Sequence, residues 1–314
     1  NAKGIDPATA TGLTPMVSQF LEVKRQYPGV ILFYRMGDFY ETFFEDALIS
    51  ARVLEITLTG RDAGPLGKIP MAGVPVKAVD NYTSRLLANN LKVAICEQME
   101  DPSAAKGLVK RQVVRVLSSG TITEQSLLKA EENNYLCAIT EKNNLWGLAY
   151  CDVTTGEFSV TELSYPQLLS ELDRIRPVEL LVSGRVQKAT AENPFATEVA
   201  SAPKEILDQY PCTPVSAEAT NTNDTSEILK SLFQVTQLSG FGLEDWPLAR
   251  QAAGMIAHTL QEQFIDSLPT FDTIRPYHLT QTVTMNTVAR RNLELLATVR
   301  NHQYEGSLLW VLNK

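Results

Sequence analysis

Apolar positions switch between two spacings along the chain, and the switches mark its elements. Met16, Phe20 and Leu21, flanked by Val23, form a short amphipathic helix that stops before Pro28-Gly29. Val30 to Tyr34 is a compact β-rich run and predicts a buried strand. Asp38 follows as a candidate helix cap, with Glu41 at the third helical position. Tyr40, Phe44, Ala47, Leu48, Ala51 and Leu54 then recur at helical spacing and define one face, with Phe39 beside it. The run Ile69 to Pro75 holds two prolines and a glycine, which predicts a shaped loop rather than a central strand. A helix is expected over 78–89, and strands at 93–96 and 113–117. The first unit is thus a mixed α/β fold of about four strands, starting near Thr14 and ending near Ser119.

Residues 120–133 are polar and without period, as in a connector. A second unit opens with three strands at 135–140, 146–153 and 158–163, turning at Asn143-Asn144 and at 154–157. A helix near 167–175 and a strand at 178–182 alternate after it, as in an α/β fold. Residues 217–224 are loop-like, 228–233 helical, and 246–264 form a longer helix. The last piece, 280–314, predicts one strand, then a helix through Val288, Leu293, Leu296 and Val299. The apolar run Ser307 to Leu312 has nothing left to pack on, which suggests a truncated chain. The expected fold class is α/β. Its divisions are a disordered leader or tag (1–13), a mixed-sheet unit (14–119), a linker (120–130), a second α/β unit (131–265) and a helical segment (266–314).

Composition narrows the class. The 314 residues suit two domains of roughly 150 each. Hydrophobic residues make up 44% and charged ones 20%, so a sizeable core is available. No apolar run approaches the roughly 18 residues of a membrane span. Cys96, Cys137, Cys151 and Cys212 are scattered, as expected of buried thiols in a reducing cytoplasm. His258, His278 and His302 lack metal-ligand spacing and predict structural roles. The net charge is −8, but residues 1–119 carry 14 Lys+Arg against 12 Asp+Glu. The base-rich half is the first, and its excess supports only weak attraction to a polyanion.

Three motifs bear on chemistry. Gly64-Pro65-Leu66-Gly67-Lys68 suggests a phosphate loop, but Ile69 stands where Ser or Thr is required. Lys68 remains either a phosphate contact or a solvated loop lysine. Asp152 and Glu157 flank the second turn of the predicted meander and do not make the acid cluster of a two-metal nuclease. The stretch Phe33-Tyr34-Arg35-Met36-Gly37-Asp38-Phe39-Tyr40-Glu41 places an aromatic and a carboxylate together at a corner. Phe39 and Glu41 are either a core ring and a capping acid, or an aromatic wedge with a polar group beside it.

These residues resemble the amino-terminal part of the MutS family of bacterial DNA mismatch repair proteins. The resemblance runs from Thr14 to the end. It is densest at 33–41, 69–75 (IPMAGVP), 93–98 (VAICEQ), 101–107 (DPSAAKG), 113–116 with 120–123, and 290–294 (RRNLE). It implies a mismatch-binding domain over 14–119 and a ribonuclease H-like connector domain, without nuclease chemistry, over 131–265. The start of the core or lever region follows. The family's Phe-x-Glu motif falls on Phe39 and Glu41. Phe39 is expected to stack on a mispaired base from the minor groove, and Glu41 to hydrogen-bond that base. Met36 and Asp38 border the wedge, and Arg61, Lys68 and Arg111 are candidate phosphate contacts. The implied partners are double-stranded DNA with mismatches or small insertion loops, and downstream repair proteins through the connector. The full-length protein is expected to be a homodimer needing ATP and magnesium. No cofactor, metal or enzymatic activity is expected of this piece. The rival expectation is a protein-interaction scaffold with no DNA binding of its own.

Overall fold

A computed structural model describes residues 13–100, 107–123, 133–187, 197–200, 202–216, 222–265, 268–279, 287–301 and 303–313. The expected leader, 1–13, therefore lies outside the described residues except for Leu13, which packs against the core, and nearly all of the 101–107 block lies outside them too.

The first unit runs α1 (Pro15–Gln26), β1 (Ile31–Met36), β2 (Phe39–Phe43), α2 (Phe44–Leu54), β3 (Thr59–Asp62), β4 (Lys68–Pro75), α3 (Val79–Leu87), β5 (Val93–Gln98) and β6 (Arg111–Leu117). Its strands form one sheet in the order β3-β4-β2-β1-β5-β6. Only the β1–β5 pair is parallel. Alternation along the strands gives the sheet two apolar faces. Leu32, Tyr34, Phe43, Ala94, Cys96 and Val113 pack against Val17, Phe20 and Leu21 of α1. Ile31, Phe33, Tyr40, Val74 and Val93 pack on the other face against Leu54 of α2 and Leu86 of α3. A buried ion pair, Lys24 to Asp46 at 2.8 Å, ties α1 to α2. Asp46 also accepts the backbone N–H of Leu32 at 3.0 Å, so it holds β1 as well.

This arrangement corrects several expectations. The first unit has six strands, not about four. Residues 39–43 are a strand, and the helix starts only at Phe44. Asp38 therefore caps nothing: Gly37-Asp38 is the two-residue turn of a β1–β2 hairpin in which Met36 pairs with Phe39. Gly37 takes φ 60, as the first central residue of a II′ turn requires. Tyr40 is consequently a sheet residue, stacked on Phe33 at 6.1 Å, and Leu48 is exposed. Residues 68–75 are also a strand, flanked on both sides by β3 and β2. Its prolines sit where pairing with β2 ends, although Pro70 still pairs with Gly60 of β3. Pro75 is the last residue, and Pro70 lies one position beyond Met71, the last partner of β2. A missing N–H costs little there.

The second unit opens with the expected meander: β7 (Tyr135–Lys142), β8 (Leu145–Asp152) and β9 (Glu157–Ser164), all antiparallel. Then come α4 (Tyr165–Ile175), β10 (Glu179–Gln187), β11 (Thr197–Ala200), α5 (Lys204–Gln209) and β12 (Cys212–Val215). Next are α6 (Thr222–Phe233), α7 (Pro247–Gln263) and β13 (Arg275–Pro276). β10 pairs parallel with both β7 and β12. A meander extended by two parallel strands is the ribonuclease H-like arrangement. Helix α7 lies across it. Gly147 lets it approach, since a Cβ there would stand 2.2 Å from the Leu248 carbonyl carbon. Residues 222–224, expected in a loop, belong to α6.

The connector is only partly a linker. Gly120, Thr121 and Ile122 are buried. Ser118 and Gly120 donate to Glu179 of β10, and Thr121 to Gln263 of α7. At the far end, α8 (Thr287–Asn292) and α9 (Leu308–Leu312) are short, and Leu293, Leu296 and Val299 are exposed. The strand expected at the start of 280–314 lies outside the described residues.

Candidate nucleic-acid interface

The register puts Phe39, Glu41 and Phe43 of β2 on the sheet face that α1 covers. Phe43 is buried under the helix, but Phe39 is 47% exposed. Its ladder neighbours are Met36 on β1 and Pro75 on β4. The preceding rings Phe33 and Tyr34 are fully enclosed. Phe39 is therefore not the core residue that spacing alone allowed. It stands on a braced hairpin: Val76 N–H donates to the Asp38 carbonyl at 3.0 Å, tying the turn to the residue after β4.

Glu41 lies two positions along on the same face, paired with Gly73. Its Oε2 accepts a hydrogen bond from Arg61, which reaches from the edge strand β3. The Arg61 guanidinium also lies 5.9 Å from the Phe43 ring centre. Arg61 is thus the partner of Glu41 in this conformation, not a free phosphate contact. Lys68 is exposed at the start of β4. The loop before it opens onto a strand rather than a helix, so no phosphate cradle forms.

Arg111 corrects a further expectation. Its side chain is buried and heavily engaged: Nε donates to the Arg35 carbonyl at 2.8 Å and Nη1 to the Val109 carbonyl at 3.0 Å. Nη1 also meets Gln19 Oε1 at 3.1 Å, and Nη2 meets Met36 Sδ at 3.2 Å. It stacks over Tyr34 at 4.9 Å. Arg111 is a buried strut beside the hairpin on that same face rather than an open phosphate contact. It seats Met36, the cross-strand neighbour of Phe39. Arg35, on the opposite face, bonds the Gly37 carbonyl and pairs with Glu97 at 3.5 Å. Tyr40 donates to Glu97, and burial, with that acceptor, pushes its hydroxyl up to about 12.

Two residues were missed by pattern. Lys77 is exposed on the 3-10 turn Val76–Ala78, two positions after the ladder partner of Phe39. Gly73 forms the open floor between Phe39 and Glu41. The dense run at 69–75 was the available signal for Gly73, and Lys77 lies just beyond it. In the second unit, both Asp152 oxygens are engaged, by Thr154 and by the Asn134 N–H. Glu157 accepts from Tyr135. Among the described residues no group of three or more His, Cys, Asp or Glu could hold a metal. Nor is any described helix long and apolar enough to cross a membrane.

Fold and site together define a two-unit α/β protein that displays an aromatic–carboxylate pair at a hairpin and joins it to a ribonuclease H-like sheet. The family model for MutS domain I matches residues 14–126, and that for MutS domain II matches 134–267. Proteins named DNA mismatch repair protein MutS align along nearly the whole chain. That of Synechococcus sp. (strain JA-2-3B'a(2-13)) is 39% identical over 98% of it, and that of Syntrophomonas wolfei 42% over 96%. The chain spans about a third of their lengths, 37% and 35% respectively. It belongs to the MutS family and carries that family's domains I and II.

Proposed function

We propose that this chain recognises DNA containing mismatches or small insertion loops, as the DNA-reading part of a mismatch repair protein. The observation that carries the reading is the half-exposed Phe39 ring, on a braced hairpin and one alternation away from Glu41. A mispaired step is cheaper to unstack than a paired one, so a protein that kinks DNA finds it by its deformability. Phe39 enters from the minor groove and stacks on one mispaired base. Such stacking is worth roughly 1–3 kcal/mol per base and tolerates any base. That offsets much of an unstacking cost of a few kcal/mol.

Glu41 hydrogen-bonds the same base. On ordinary duplex, where no base is displaced, its carboxylate faces phosphates at a cost, and this repulsion sharpens the preference. Asp38 borders the wedge, and the exposed Lys68 and Lys77 are the cations available to phosphate. The second unit relays binding to repair partners and, in the whole protein, to an ATP-driven part. The ties from Ser118 and Gly120 to Glu179 support a rigid relay.

The test is a titration of mismatched and paired duplex at stated salt, with the protein in its full natural length. Phe39→Ala is expected to abolish the preference for the mismatch, and Glu41→Ala to tighten binding to paired duplex. A surviving preference in Phe39→Ala ends the wedge reading. Binding of neither duplex by wild type favours the protein-interaction scaffold instead.

A further inference from the structure

Glu41 is not presented as a free carboxylate. Arg61 engages Oε2, and no described hydrogen bond engages Oε1. Arg61 comes from β3, two strands from β2, and reaches across β4 past the Phe43 ring. The Arg61 stem is itself steadied, since its guanidinium lies over the buried Phe43 ring. Both partners are partly screened, with side chains 33% and 16% exposed, so the pair is not one of the freely solvated kind that contributes almost nothing.

We infer that Arg61 is a positioning residue that sets mismatch specificity. It clamps one oxygen of Glu41 and leaves the other directed by the clamp for a base. This inference rests on the function proposed above. A long acidic side chain with free rotamers would meet the base in many poses and lose ordering entropy on binding. One already held at Oε2 loses less, which is the general advantage of preorganisation. A phosphate contact would add affinity for every duplex alike. A clamp on Glu41 acts on the ratio between duplexes and acts only through Glu41.

A double-mutant cycle with the full-length protein separates these roles. Wild type, Arg61→Gln, Glu41→Gln and the double variant are titrated with mismatched and paired duplex at several salt concentrations. Arg61→Gln is expected to lower the mismatch-to-paired ratio about fivefold, the scale of one hydrogen bond. It should do little further in the Glu41→Gln background, and leave the salt slope unchanged. Arg61→Lys should restore part of the ratio. An equal loss on both duplexes with a shallower salt slope makes Arg61 a phosphate contact and overturns the inference. So does an Arg61→Gln effect that persists undiminished without Glu41, or no effect at all. Phe39→Ala runs beside the cycle. If it keeps the mismatch preference while Arg61 and Glu41 remain coupled, the wedge fails and the clamp stands. If it loses the preference and the pair is uncoupled, the clamp alone fails.

Discussion

Phe39 lies beside Gly73: a Cβ added at Gly73 would stand 3.9 Å from Cδ1 of the ring and 3.7 Å from Cγ of Glu41. The glycine is therefore not needed for its own backbone freedom but for the space it leaves. A methyl group fits there at ordinary van der Waals distance. A branched side chain does not, and it must displace the ring, the carboxylate or both. Gly73→Ala is expected to keep mismatch preference nearly intact, whereas Gly73→Val should reduce it by about tenfold, the loss of about 1.4 kcal/mol of stacking. Competition binding with mismatched and paired duplex reads the difference. Equal behaviour of the two variants would mean that the floor under Phe39 is not confining.

The ring itself was visible from the chain, but its setting was not. Gly37-Asp38 is equally good chemistry for a hairpin turn and for a helix cap, and the helix that does follow starts only six residues after Asp38. The choice of hairpin is made by β4, a strand 30 residues away that pairs with β2. That strand was hidden by its prolines, which sit at the limits of its pairing with β2. The meander and the long helix α7 were legible because their periods are long and local. The fate of the arginines was not. Arg61 and Arg111 look like surface cations in sequence, and only long-range register shows one committed to Glu41 and the other to Arg35, Gln19 and Met36.

The Lys24–Asp46 pair is equally invisible in sequence, being 22 residues apart. Burial pushes the Asp46 carboxyl up, and Lys24 and the Leu32 N–H pull it back down. Lys24 in turn also donates to the Val30 carbonyl. Removing one partner leaves the other charge buried alone, which costs about 3–5 kcal/mol. Lys24→Met and Asp46→Leu should each lower the urea midpoint sharply, and the combined variant should recover part of the loss. Additive losses in equilibrium unfolding would show that the two groups do not depend on each other.

Glu179 joins the two units. Its Oε2 accepts from Ser118 and from the Gly120 N–H at 3.0 Å, and its Oε1 from Thr213 at 2.8 Å. The Lys92 ammonium lies 4.0 Å away. Gly120 must be glycine here, because a Cβ would meet Leu136 Cδ1 at 2.8 Å and Glu179 Cβ at 3.1 Å. Glu179→Ala strands several buried donors, each at about 1–3 kcal/mol. Unfolding followed by tryptophan fluorescence and by far-ultraviolet circular dichroism should then split into two transitions. Trp146, Trp246 and Trp310 all lie outside the first unit, so the fluorescence is blind to that unit while the dichroism follows both. A single shared transition in Glu179→Ala would place the coupling elsewhere.

The cysteines make the core's response to pH measurable. Burial pushes the Cys96 thiol up to about 12 and the Cys212 thiol up to about 11, and holds Cys137 and Cys151 well above the usual range. In the unfolded chain each returns to about 8.5. Folding thus favours the protonated thiols. Between about 8.5 and the folded values the unfolded state binds fewer protons, so stability is whole below about 8.5 and falls as pH rises through that window. The same elevation starves the native protein of thiolate, the reactive form. At pH 8, alkylation of the native chain should be slow and begin at Cys212, the one cysteine that is only partly buried. All four should react together in urea. Mass spectrometry of time-quenched samples counts the adducts, and rapid native labelling of Cys96 or Cys137 would mean that the sheets open far more often than their packing allows.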